Sequence, residues 1–130
     1  PPNIPASQNQ EFRVNINLAT QEEISNMSLS ISFDPQVAKM KDVTKGGFLG
    51  QMGAEVPFLK NIDNSSGVCI IGFSSPDVSR GIKGTGIVAT LIFEAQEKGE
   101  SSISVADLSA NSPDGKALTF ETTQSRVTVR

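Results

Sequence analysis

Histidine, tryptophan and tyrosine are absent from this 130-residue chain, and cysteine occurs once. Each absence closes a class of chemistry. Without histidine there is no Ser-His-Asp triad, no Cys-His pair and no imidazole to hold a metal. Without tryptophan and tyrosine the usual stacking platform for sugars or bases is missing. Cys69 has no partner for an internal disulfide. Within "VCIIGF" it reads as a small buried hydrophobe, with no histidine or evident cation to activate it. No run approaches the ~20 apolar residues of a membrane helix, so no membrane insertion is expected. Charged residues make up 19% of the chain, against roughly 25% in typical soluble domains. Some of the surface must therefore be covered by uncharged groups. Net charge is -3 with no cluster of Lys and Arg, so no nucleic-acid partner is expected.

What is present is alternation. Phe12, Val14, Ile16 and Leu18 alternate with Arg13, Asn15 and Asn17, the period-2 pattern of a half-buried strand. "MSLSISFDP" repeats it, with Met27, Leu29, Ile31 and Phe33 on one face and Ser28, Ser30 and Ser32 on the other. "VPFLKNID" and "GVCIIGFS" follow, joined by the hairpin-like "DNSSG". "GIVATLIFEAQ" is the longest strand pattern, and "SSISVADL", "KALTFE" and "SRVTVR" complete the set. "EKGE" (97–100) and "SPDG" (112–115) read as turns. "DPQVAKM" fits one helical turn, capped by Asp34 with Pro35 at its first position. Many short strands with glycine-rich turns predict an all-β fold, an antiparallel two-sheet sandwich. The length fits one domain. "PPNIPAS" reads as Pro-rich linker, so residues 1–10 are assigned to a linker and a weak first strand, and 11–130 to a single domain. The strand-like "RVTVR" at the other end suggests a module of a longer protein, with any targeting signal outside this segment.

Little catalytic chemistry remains. "GIKGTG" (81–86) runs into a strand pattern rather than a helix, so it reads as a glycine-rich strand approach and not a phosphate loop. Glu22 and Glu23 in "QEEIS" read as a polar turn. Asp107 and Asp114, with Asn111 between them, form an oxygen-rich stretch of the kind that can hold Ca²⁺, but "SPDG" is already explained as a turn. No catalytic residue, metal site or cofactor is therefore assigned, and the chain is expected not to be an enzyme.

"SFDPQV" after a hydrophobic strand, then "VTKGGFL", "NIDNSSGVCI" and "GTGIVATLIFEAQEKGESSIS" form an ordered set. That order resembles the cohesin domain of cellulosome scaffolds and cohesin-like modules of other bacterial and archaeal surface or secretion proteins. The matching positions are Asp34, Pro35 and Val37; Gly47, Phe48 and Leu49; Gly67; and Gly84, Gly86, Ala89, Leu91, Phe93, Ala95 and Gly99. The resemblance spans residues 12–130. It implies a nine-stranded jelly-roll sandwich in which one sheet has the order 8-3-6-5 and binds a partner's dockerin module with its outer face. The serine column stands where cellulosomal cohesins carry polar dockerin contacts.

Parity assigns Arg13, Asn15 and Asn17, with Lys116, Thr119, Glu121, Arg126, Thr128 and Arg130, to a charged outer surface. Cys69, Ile71 and Phe73 point inward, as do Ala89, Leu91, Phe93 and Ala95. With the implied strand order, the serine column lies between the outward residues of 67–73 and those of 86–95. The expected partner-binding face is then Ser28, Ser30, Ser32, Val68, Ile70, Val88, Thr90 and Ile92. It is flat and nearly uncharged, as interface centres are, unless the loop 46–56 or 74–86 covers it. The expected function is a non-catalytic protein-interaction module, monomeric or weakly dimeric, extracellular or cell-surface-associated, with the periplasm as the other compartment. The alternatives are a carbohydrate-binding module, for which only Phe48 and Phe58 lie outside core parity, and a structural spacer of a secretion or adhesion protein.

Overall fold

The computed structural model describes residues 3–52, 57–75, 81–122 and 124–130. Among them are ten strands: β1 (Asn3–Ala6), β2 (Glu11–Ile24), β3 (Asn26–Ser32), β4 (Ala38–Lys45), β5 (Phe58–Asp63), β6 (Val68–Ser74), β7 (Ile82–Ala95), β8 (Gly99–Asn111), β9 (Ala117–Leu118) and β10 (Ser125–Val129). The described residues contain no α-helix, only the 3-10 helix Gly47–Met52. The "DPQV" segment makes a single turn, in which the Asp34 carbonyl accepts from the Val37 and Ala38 N–H groups and its carboxylate from Gln36 N–H. The two-residue β9 is a short addition to the expected nine strands.

The strands form two layers. One sheet runs β1-β10-β8-β3-β6-β5, with β9 beside β8, and the other runs β2-β7-β4. β8 joins two pairings end to end. Its first part, 99–103, pairs with β10 and its second, 104–111, with β3. The C-terminal strand therefore belongs with β1 and β8, not beside β2 as parity grouping had it. Glu22 and Glu23, expected in a turn, are the exposed last residues of β2 before Ile24, and Glu22 pairs with Lys116 at 3.2 Å.

The inward sets pack as the alternation predicts. Phe93 lies at the centre, fully buried, with Phe12 stacked at 5.2 Å and Phe33 edge-on at 5.3 Å. Each such pair contributes about 0.5–1.5 kcal/mol beyond its buried area. Met27, Leu29, Ile31, Cys69, Ile71 and Phe73 close on this cluster from the other sheet. The Cys69 thiol is wholly buried, and burial pushes it up to about 11. At about pH 8 a disulfide reagent should leave it untouched in the native domain and modify it in denaturant. Rapid labelling of the native protein would contradict this packing.

The exposed backbone edge of β4 is blunted by a side chain. Asn64 Oδ1 accepts from Met40 N–H at 2.9 Å, and Asn64 Nδ2 donates to Met40 O at 3.0 Å. Nearby, Lys60 Nζ reaches from β5 to the Asp42 carboxylate and to Val43 O. These contacts close one side of the sandwich and hold β5 in place.

Candidate partner-binding face

The register of the sheet sets three rows across the outer face of β5, β6, β3 and β8. Leu59 pairs with Gly72, Gly72 with Ser28, and Ser28 with Ser109. The next row is Asn61, Ile70, Ser30 and Asp107, and the third is Asp63, Val68, Ser32 and Ser104. Ser28 and Ile70 are exposed, and Ser30, Ser32 and Val68 are half-buried. Among the described residues, the exposed large hydrophobics are Leu59, at 60%, and Ile70, at 39%, and both stand on this face. They sit on adjacent strands in adjacent rows.

The other three residues of the predicted face lie elsewhere. β3 is flanked by β6 and β8, whereas residues 86–95 fall in β7, in the opposite sheet. Thr90 and Ile92 face outward there, beside a charged surface. Thr90 Oγ1 donates to Asn15 Oδ1 at 2.9 Å, and Lys41 Nζ lies 3.3 Å from Glu11 and 3.9 Å from Glu94. Val88 is in the core with no exposure. The cause is a β-bulge: Ile16 pairs with Ala89 but Asn17 pairs with Ile87, leaving Val88 as the extra residue. A bulge puts two neighbours on the inside and reverses parity beyond it. The face thus has the order 8-3-6-5, with β8 supplying the flank assigned to β7.

Leu59, Asn61, Asp63, Ser104, Asp107 and Ser109 are the members that sequence parity did not include. The hairpin supplies a signal for the first three. Once Asp63 pairs with Val68 across the turn, counting back puts Leu59 beside Gly72. The Ser66 hydroxyl and the N–H groups of Ser66 and Ser65 hold the Asp63 carboxyl below the usual carboxylate range, so it is anionic at neutral pH. Asp107 accepts from Leu108 N–H at 2.9 Å. β3, β6 and β8 contain no Lys or Arg, and Lys60 of β5 is turned toward Asp42.

Nothing described covers this face. The 3-10 helix lies on the β7 side, where Gly46 N–H donates to Val88 O at 2.8 Å and Phe48 and Leu49 enter the core. Residues 53–56 and 76–80 of the two candidate covering loops lie outside the described residues. Phe48 is buried and Phe58 half-buried, paired with Phe73, so neither stands free for a sugar ring. Asp107 lies on the sheet face while the Asp114 carboxylate accepts from the Ser112 hydroxyl in its turn. Among the described residues, no three His, Cys, Asp or Glu side chains gather as metal ligands.

Architecture and face together define a two-sheet β-sandwich with one charged and one charge-poor outer surface. The family profile of the cohesin domain matches residues 5–129, and the chain belongs to that family. No curated protein matches it significantly. Solved structures do. The OlpA cohesin of Clostridium thermocellum, in a type I cohesin–dockerin complex, superposes with a TM-score of 0.83 at 15% identity, covering 98% of this chain and 94% of that one. A non-cellulosomal cohesin from the hyperthermophilic archaeon Archaeoglobus fulgidus gives 0.82 at 16%, covering 98% and 86%. The third ScaC cohesin of Acetivibrio cellulolyticus, bound to the ScaB dockerin, gives 0.80 at 19%, covering 98% and 96%. At such identities the likeness establishes the fold.

Proposed function

We propose that this domain is a non-catalytic module that binds a dockerin through the outer face of β8-β3-β6-β5, as a monomeric part of a larger protein displayed outside the cell. The observation that carries this is the clustering of the exposed aliphatics Leu59 and Ile70 on that face, in a chain of the cohesin family. Ser28, Ser30 and Ser32 form the floor between its flanks. They let another element approach closely and offer hydroxyl groups without the desolvation cost of a charge. Val68 and Ile70 on β6 flank them with aliphatic surface.

Replacing Ile70 by Asp puts a charge in the middle of that contact. Affinity for the native dockerin should fall by about thirtyfold or more. The urea midpoint should report a change of only about 0.5 kcal/mol, because the site is solvent-facing. Unchanged dockerin affinity in Ile70→Asp would place the contact on another face.

A further inference from the structure

Gly72 of β6 lies between Leu59 and Ser28, in the lining of a shallow depression of about 450 Å³. Asn26, Ser28, Pro57, Leu59 and Ser109 line it. Its floor is backbone and its wall is the exposed Leu59, so an apolar group seated there would exchange water for aliphatic surface. Among the described residues of this face the charge has one sign. Asp63 and Asp107 stand in the two rows beyond the depression, and no Lys or Arg of β3, β6 or β8 answers them.

Resting on the dockerin-binding reading above, we infer that Gly72 forms a notch that receives one aliphatic side chain of the partner, and that the partner sets Lys or Arg beside it against Asp63 and Asp107. The notch is a specificity device rather than a requirement of the fold. A Cβ at Gly72 would lie 3.4 Å from Met27 O and 3.9 Å from Leu59 Cβ, ordinary contacts, so a larger residue can occupy the strand and fill the notch.

The probe is a displayed library built on the ScaB dockerin of Acetivibrio cellulolyticus, with its exposed helix positions randomised and selected on the wild-type domain. Selected binders should carry an aliphatic anchor flanked by Lys or Arg. They should lose at least tenfold in affinity on Gly72→Val and less on Gly72→Ala. They should lose a similar factor on Asp107→Lys and weaken in high salt. Urea denaturation of each variant confirms that the domain is folded. Binders lost on Ile70→Asp yet indifferent to Gly72→Val would overturn the notch and leave the face intact. Binders indifferent to both, or a library that yields none, would overturn the dockerin-binding reading and the notch with it.

Discussion

Val88→Asp should strongly destabilise the domain. Val88 has no exposure, and an uncompensated charge in such a position costs about 3–5 kcal/mol. That is a large share of the about 5–15 kcal/mol by which a typical domain is stable. The variant should show a much lower urea midpoint, or lose native circular dichroism outright. The comparison with Ile70→Asp sharpens the test. Both replace an aliphatic residue of a strand by Asp, yet one should break the fold and the other only the contact. The difference lies in one extra residue in β7, opposite the step from Ile16 to Asn17. A Val88→Asp domain with the wild-type midpoint would mean that Val88 faces solvent and that β7 carries no bulge.

Gly67→Ala is expected to be strongly damaging. Gly67 has φ of +75°, and a Cβ there would lie 2.2 Å from the Phe33 carbonyl oxygen and 2.8 Å from Pro35 Cδ. The left-handed backbone alone costs an alanine about 1–2 kcal/mol. The overlap falls on backbone, which must move, and forced shifts in packed regions cost about 1–3 kcal/mol more. Movement would also disturb the Phe33 N–H to Gly67 O hydrogen bond of 2.9 Å that ties the end of β3 to the β5–β6 turn. Gly115→Ala separates the two terms, because Gly115 has φ of +85° but nothing within 4 Å of a Cβ. Urea denaturation should rank wild type above Gly115→Ala, with Gly67→Ala far below both. Equal losses in the two variants would rule out the steric clash at Gly67.

Most of the fold could be read from period-2 alternation, because each sheet buries one side. Phe12 to Leu18, Met27 to Phe33 and Cys69 to Phe73 all turned inward as their spacing implied. Three things could not be read. The bulge at Val88 leaves no mark in "GIVATLIFEA", where every residue suits a strand and an extra one changes parity silently. Sheet membership is also invisible to alternation. The outward residues of β7 and of β8 are both compatible with a place beside the serine column, and only the pairing of Ser28 with Ser109 and of Ser30 with Asp107 decides. Phe48 escaped for a third reason. A glycine-rich loop carries no periodicity, yet it inserts a ring over Gly86, where a Cβ would lie 2.8 Å from that ring.

β1 runs parallel to β10, matched from Asn3 beside Arg126 to Ala6 beside Val129. The first and last described strands are therefore neighbours pointing the same way. Opposed forces applied at residues 3 and 129 would slide one along the other, loading the cross-strand bonds of the pair together instead of opening them one at a time. The fold places its two ends in shear. A tether pulled through this domain would meet that pairing before it reached the face on β8-β3-β6-β5.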